Sequence, residues 1–371
     1  MRLRYWIADA KSGTVLAEVK TSGGVQLGSK LGGGTCSVPV SLSHLTTLDG
    51  DRMDVAAVVR TMGFLDGGRR TIVATDHAQR CVGEWLIIRR PRSTASGVVT
   101  VTGMEWDGYP ALRSLNEHFV YGGAGTDQLT LARLLLEGAF KSFNTGMAIT
   151  IPTVTSGIRR KMDRRARSCY FSDALKELAS PDDGFEWRVD ITPTWDGTRL
   201  VAVARAVVFG QPTLSRVTSL VFDVAEPGSR RGTATVIEGG DDFARYAQTI
   251  YGIGAGQGDK QLIVGLSDPT LTNAGYLNST KNVSFPSVKD VDTLTALARG
   301  ALVAAQDLRD PFKAVGVLEK LPDLPRKGDR VRLKSAPTWA YPEGLDVSVR
   351  IGEVSLNPNG HQVTLATVLA I

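Results

Sequence analysis

The sequence predicts a predominantly β, α+β protein built from two β-barrel-like domains with α+β inserts. Three observations carry that prediction. Short runs rich in β-branched residues, many of them alternating apolar with polar, recur towards both ends of the chain, each bounded by turn residues. Glycine is abundant, 40 of 371 residues against 16 prolines, and follows no collagen period, so it serves tight turns between short strands. Helical periodicity is confined to a few stretches, the longest being 127–140 and 290–306.

Residues 1–108 read as the first β-barrel-like domain. Arg4–Asp9 and Val15–Lys20 flank the hairpin signal Lys11-Ser12-Gly13. Cys36–Leu42 alternates with period two, and Pro39 in it suggests an edge position, because proline has no N–H to give a ladder. Val55–Arg60, Thr71–Thr75, Gly83–Arg89 and Val98–Gly103 continue the series. Strands at such intervals suit a barrel or sandwich, and a barrel leaves no edge open to aggregation.

Residues 109–235 form an α+β insert. Asp127–Phe140 places apolar residues at helical spacing behind an acidic start, and Ser172–Ala179 repeats the pattern until Pro181 stops it. Phe185–Ile191 and Leu200–Val208 are joined through the turn at Trp195-Asp196-Gly197-Thr198, a hairpin. Residues 236–371 form the second β-barrel-like domain, opening on a transition segment. Ala247–Ile253 and Gln261–Leu266 read as strands, Asp290–Gln306 as a helix packed on the sheet, and Ala314–Leu318, Leu324–Leu333, Tyr341–Ile351 and Gln362–Leu369 as turn-punctuated strands. Trp85, Leu345 and Val347 are candidates for barrel packing.

Composition narrows the function classes. A hydrophobic fraction of 42% is ordinary for a globular chain, and no stretch reaches the roughly 18 apolar residues of a membrane helix. No signal-peptide run opens the chain, so no membrane anchor is expected. The net charge of +5 is mild, and binding nucleic acid would need it gathered on one face. One dense basic run exists, Arg159, Arg160, Lys161, Arg164, Arg165 and Arg167; it reads as an interface or phosphate-binding loop or, preferably, as a solvated loop. Cys36, Cys81 and Cys169 are odd in number and far apart, and His44, His77, His118 and His361 have no ligand spacing. Neither zinc nor a disulfide framework is expected.

Nothing in the sequence assembles a catalytic or cofactor site. Gly252, Gly254, Gly256 and Gly258 resemble a phosphate cradle only superficially, since a strand-like run follows where a helix N-terminus is required. The acidic residues Asp182, Asp183 and Glu186, with Asp241 and Asp242, lie in turns rather than facing each other across a substrate. Asn278 and Asn282 fit a glycosylation pattern that reads as loop polarity without a secretory signal. Trp6, Trp85, Trp106, Trp187, Trp195 and Trp339 read as packing residues before sugar platforms. The expectation is no enzyme, no cofactor and no metal.

The order of features resembles the tail-hub (baseplate hub) proteins of long-tailed bacteriophages, particularly the minor tail proteins of phages infecting actinobacteria. That family also forms the N-terminal part of tail-associated lysins and the hub of contractile tails. The resemblance rests on four stretches: 83–89 with 99–106; 171–178 with the hairpin 185–200; 251–259; and 293–302 followed by 325–333. It implies a homotrimer at the virion tail tip, made in the bacterial host cytoplasm, each subunit supplying two similar barrels to a ring of sixfold pseudo-symmetry. Such a ring would join the tail tube or distal tail ring to the central tip or fibres, touch the tape-measure protein, and pass genomic DNA through its lumen. Many tail-associated lysins continue into lytic or fibre regions; this sequence stops at Ile371, so lytic activity is expected in another protein. The alternatives are a distal tail ring protein, a cell-wall hydrolase using Asp182, Asp183 or Glu186, and a glycan-binding tail module using Trp195.

Overall fold

A computed structural model of the protein describes residues 3–41, 46–47, 65–91, 98–142, 145–181, 183–225, 232–240, 242–286, 288–306, 311–359 and 361–368. The first region contributes β1 (Arg4–Asp9), β2 (Val15–Val19), β3 (Gln26–Lys30), β4 (Thr35–Ser41), β5 (Thr46–Thr47), β6 (Arg70–Thr75), β7 (Cys81–Arg89) and β8 (Val98–Glu105). The middle holds β9 (Phe119–Asp127), α1 (Gln128–Phe140), β10 (Arg159–Arg164), α2 (Phe171–Ala179), β11 (Glu186–Asp196) and β12 (Arg199–Gly210). There follow β13 (Arg216–Val224), β14 (Ala234–Glu238), β15 (Thr249–Ile253), β16 (Ile263–Ser267), α3 (Thr270–Asn273), β17 (Thr280–Ser284) and α4 (Val291–Ala305). The chain finishes with β18 (Lys313–Val317), β19 (Asp329–Ser335), β20 (Leu345–Asn357) and β21 (Gln362–Val368). The predominantly β, α+β class is the one expected; the strand expected at Val55–Arg60 lies outside the described residues.

Strands from both ends of the chain share one 14-stranded sheet, in the order β14-β18-β21-β20-β3-β4-β8-β7-β6-β1-β2-β5, with β19 on β20 and β13 on β19. The join is the antiparallel pairing of β3 with β20, Leu27 opposite Leu356 and Lys30 opposite Glu353. Among the described residues this order does not close into a barrel, and the edges meet at isolated contacts instead. Thr21 bridges Val40, Ser41 N donates to Lys20 O at 2.8 Å, and Ser22 N donates to Pro39 O at 3.0 Å. On the other side Thr233 Oγ1 donates to Val221 O at 2.6 Å and accepts from Asp223 N at 2.9 Å. Pro39 therefore sits on an interior strand, not an edge. It is tolerated because β3 pairs β4 only at Cys36 and Ser37, and the short contact beyond, at Thr21 and Ser22, uses Pro39 as an acceptor through its carbonyl.

Strands β1 and β6 are apolar on both sides, and the packing shows why. Tyr5, Ile7, Ile72 and Ala74 enter the main core, which also holds Phe222, Leu333, Ile351 and Leu365 from the chain's other end. Their alternate neighbours Trp6, Ala8 and Val73 face a second cluster closed by Leu200 and Val203 of β12. The β11–β12 hairpin thus lies across the back of the sheet, and a strand covered on both faces reads as a continuous apolar run. The helices follow the expected pattern closely. Asp127 caps α1, accepting from Leu129 N at 2.9 Å and Thr130 N at 3.2 Å, and Asp290 caps α4, accepting from Thr293 N at 2.9 Å. α1 and α2 bury Leu131, Leu135, Phe140, Phe171 and Leu175 in a third cluster, where Tyr109 stacks on Phe140 at 5.7 Å. α4 covers the small sheet β16-β15-β17 through Leu294, Leu297 and Ala298.

The hairpin's seat is set by one turn. Gly13 has φ +75°, its carbonyl accepts from Val203 N at 2.9 Å, and a Cβ there would lie 2.2 Å from Val203 O. Gly13→Ala is expected to destabilise the protein by at least about 2 kcal/mol, since left-handed strain adds to a backbone clash. Gly68→Ala, also at positive φ but with open space around it, should cost about 1 kcal/mol. Urea unfolding of both variants checks the difference; equal losses would show that the Gly13–Val203 approach is slack.

Candidate functional site

Charged side chains converge where the first region, the hairpin and the last region meet. Glu84 on β7 and Arg205 on β12 are both fully buried. Glu84 Oε1 accepts from Thr71 Oγ1 at 2.7 Å and Arg205 Nη2 at 2.6 Å, while Oε2 accepts from Trp106 Nε1 at 2.9 Å and Arg205 Nε at 2.8 Å. Arg205 Nη1 donates to Ala10 O at 2.9 Å, and its guanidinium lies 4.7 Å over the Trp106 ring. The arginine's donors and the carboxylate's acceptors are thus spent on each other and their neighbours. A buried charge is tolerated only on such terms.

A second cluster lies alongside. Lys327 Nζ donates to Glu105 Oε2 at 2.9 Å, to Asp107 Oδ2 and to Lys30 O at 3.3 Å. Glu105 Oε2 also accepts from Gly34 N at 2.7 Å, and Asp107 Oδ1 accepts from Val189 N of β11 at 2.8 Å. Arg188 Nη1 then reaches Lys327 O at 2.7 Å. Two buried carboxylates share one ammonium, so a proton can relieve the excess negative charge. Burial pushes Asp107 up to about 6 against the pull of Lys327, with Glu105 adding to the rise; the same two carboxylates hold Lys327 above its ordinary value despite its burial. A third set finishes the seam: Glu186 Oε2 accepts from Arg350 Nη1 at 2.6 Å and Leu214 N at 2.9 Å, and Arg216 pairs with Asp329 through bonds of 2.8 and 2.7 Å.

What this arrangement can do is mechanical. The cavity beside it, lined by Glu84, Trp106, Asp107, Arg188 and Lys327, measures about 70 Å³. That accommodates a water molecule or two and no substrate. Cys81 at its margin is buried, which pushes its thiol up to about 12, far from a thiolate nucleophile.

The residues singled out in the sequence are placed as follows. Asp183 pairs with Arg160, and Glu186 with Arg350, so both carboxylates serve internal contacts; Asp182 and Asp241 lie outside the described residues. Asp242 caps a short turn, accepting from Ala244 N at 3.0 Å. Gly252 and Gly254 pack closely against Leu294 under α4, and the loop's amides are engaged: Gly254 N donates to Leu262 O at 2.7 Å and Ala255 N to Val288 O at 2.7 Å. Cys36 and Cys81 are buried thiols, Cys169 is half-buried, and His77 and His118 are exposed; His44 lies outside the described residues. Among the described residues no group of three or more histidine, cysteine or acidic side chains is arranged to hold a metal. Trp85 is buried in the main core, and Leu345 and Val347 pack against it, as expected.

The basic run corrects its reading as a solvated loop. Its residues 159–164 form strand β10, paired with β9, and turn Arg160, Met162 and Arg164 inward while Arg159 and Lys161, with Arg165 and Arg167 beyond the strand, face solvent. Arg160 is neutralised by Asp183 and Arg164 by Glu177, so two of the six charges of the apparent patch are already paired. Trp195, the glycan candidate, is half-buried edge-on to Trp6 at 5.8 Å and donates Nε1–H to Gln79 O at 3.0 Å, leaving no free indole platform. Sequence reasoning missed Glu84, Arg205, Asp107 and Lys327. The available signal was a single charge inside an apolar strand: Arg205 stands in Leu200–Val208 between alanines, and Glu84 in the run leading to Ile88.

This architecture defines a class: a predominantly β, α+β fold of two strand sets locked through a hairpin and bearing helical inserts. No family model matches the sequence, and no curated protein matches it. Solved structures match the fold along nearly its whole length. The prophage tail protein gp18 of Listeria monocytogenes is similar with a TM-score of 0.52 at 12% identity, over 98% of this chain and 94% of that one. A tail protein of Neisseria meningitidis gives 0.56 at 14% identity over 98% and 96%. The 43 kDa tail protein of prophage MuSo2 from Shewanella oneidensis gives 0.55 at 8% identity over 99% and 98%.

Two experiments test the seam. Glu84→Leu or Arg205→Met should each cost about 3–5 kcal/mol, because each strands a buried charge, while the apolar pair Glu84→Leu with Arg205→Met should recover most of that loss. Urea unfolding measures the cycle, and additive losses would contradict the assigned coupling. For Asp107 the folded value lies above the ordinary 3.8, so its proton is held more tightly folded than unfolded. Its contribution to stability is present below about pH 4 and is lost as pH rises through about 6. Relative to Asp107→Asn, the native protein should lose on the order of 1–3 kcal/mol between about pH 4.5 and about pH 7. A pH-independent difference would place the titration elsewhere.

Proposed function

We propose that this chain is a structural protein of a bacteriophage tail and, within the tail, the tip hub. On this reading it forms a homotrimeric ring that joins the tail tube or distal tail ring above to the central tip or fibres below. The ring surrounds the channel through which the genome leaves. The observation that carries the proposal is the fold shared, over at least 94% of either chain, with three proteins described as tail proteins. The interior supports it. Three regions are welded by ion pairs that leave a small cavity between them, as suits a part that must keep its shape under load. The described carboxylates once candidate for hydrolysis, Asp183 and Glu186, are held by arginines, and the glycan candidate Trp195 is packed against Trp6.

The test is a cryo-EM reconstruction of the virion tail tip with this chain fitted. Three copies around the axis, between the tail tube and the tip, are expected. Six equivalent copies would reassign the chain to the distal tail ring. Absence from the particle, with cell-wall hydrolysis by the isolated protein, would overturn the structural reading.

A further inference from the structure

Among the described residues one lysine is buried, and it is placed as a nucleophile would be. Lys327 stands on a braced segment: its carbonyl accepts from Arg188 Nη1 at 2.7 Å, Gly328 N donates to Ile351 O at 2.7 Å, and Asp329 N donates to Arg326 O at 3.0 Å. Its Nζ donates to Asp107 Oδ2, to Glu105 Oε2 at 2.9 Å and to Lys30 O at 3.3 Å. The second oxygen of the aspartate, Oδ1, accepts from Val189 N at 2.8 Å, and Glu105 and Asp107 are both buried. The neighbouring Glu84–Arg205 cluster is equally ionic, but a guanidinium keeps its proton and stays an ion. An amine becomes a nucleophile once it gives a proton up.

These contacts divide the labour of a condensation. An amide forms when an amine is held against a carboxyl carbon, a donor polarises the oxygen that stays, and a proton carrier serves the oxygen that leaves. Nζ bonded to Oδ2 already lies against the Asp107 carboxyl group, Val189 N–H holds the oxygen that would stay, and Glu105 Oε2 touches the amine whose proton must move. Burial keeps bulk water, the agent of the reverse reaction, away from all three groups. The water released has room in the adjoining cavity of about 70 Å³, which Glu105, Asp107 and Lys327 all line. Burial also pushes Asp107 up to about 6, which brings its uncharged, electrophilic form within reach.

We propose that Lys327 and Asp107 join in an intramolecular isopeptide bond, with Glu105 as the catalytic proton carrier. Glu105 takes a proton from the Lys327 ammonium, and the freed electron pair of Nζ attacks Asp107 Cγ to form the Nζ–Cγ bond. The Cγ–Oδ2 bond then breaks, and Oδ2 leaves as water, carrying two protons that Nζ has given up, one of them through Glu105. Ammonium and carboxylate thereby become amide and water, Glu105 returns to its carboxylate form, and no oxidant or reductant is used. The bond ties positions 220 apart in the sequence, joining the 3-10 turn after β8 to the turn before β19. The titration of Asp107 described above belongs to the unlinked chain; the linked chain has no carboxyl there to titrate.

The test is intact-mass spectrometry of the full chain followed by tryptic mapping. The native protein is expected to weigh one water less than its sequence and to yield a branched peptide joining the segments around Asp107 and Lys327. Denatured and reduced, it should migrate faster in a gel than Lys327→Arg, which keeps a cation between the carboxylates but cannot close the loop. Glu105→Gln keeps an acceptor for Gly34 N but carries no proton, and should slow linkage by at least about 100-fold, followed as linked fraction against time after synthesis. A native chain at its full sequence mass overturns the bond. So does a chain lighter by one water that yields only linear peptides, as cyclisation at Asp107-Gly108 would give. Linkage of Glu105→Gln at the native rate overturns the role given to Glu105. The mass of the native chain decides the bond even where both variants fail to fold.

Discussion

The fully buried pair of Glu84 and Arg205 is the constraint on which the rest of the structure leans. Leaving either charge buried alone costs about 3–5 kcal/mol, a large share of a domain's stability, so the two strands are held to seating together. The pair therefore couples the seating of the hairpin to the sheet. Trp106 and Thr71 tie the same carboxylate to the neighbouring 3-10 turn and to β6, and Ala10 O ties the arginine to the first hairpin turn. Ion pairs of this sort add little net stability over an apolar core; what they add is exclusion of alternative seatings, because any displaced arrangement leaves a charge unanswered.

The seam continues this logic into the last region. Lys327 touches the backbone of β3 and the carboxylates at 105 and 107, while Arg188 and Arg350 connect the hairpin to the segment before β19 and to β20. The three stretches of sequence, the first and last of which already share one hydrophobic core, are thereby made to move as one body. A likeness in fold that survives at 8–14% identity fits this picture, since the shape can be kept by many different sets of packed residues.

Much of the local structure was legible from periodicity. β1 spans the residues its pattern marks, and both long helices begin at the aspartates that cap them. What escaped is instructive. β3 offers one buried apolar residue, Leu27, and owes its extended form to partners on either side, β4 and β20. β10 looks like a charged loop because its only buried side chain is Met162, its inward arginines being paired with acids elsewhere in the chain. The seam residues escaped for a related reason. A charge in an apolar strand shows that a partner exists but not where, and the partner of Glu84 sits on a strand far along the sequence. Burial patterns are written locally; ionic pairing across regions is not.

The pairing of β3 with β20 also sets a clock. β3 occupies residues 26–30 and β20 residues 345–357, so the edge of β3 waits unpaired while all the sequence between them is made. An unpaired edge invites the wrong neighbour, most of all where many copies are produced together. Its sequence is built for that interval: Gln26, Gly28, Ser29 and Lys30 surround a single leucine, giving a strand with little appetite for pairing until its proper partner arrives. The weakness that hides β3 from sequence reading is thus what keeps the nascent chain out of trouble.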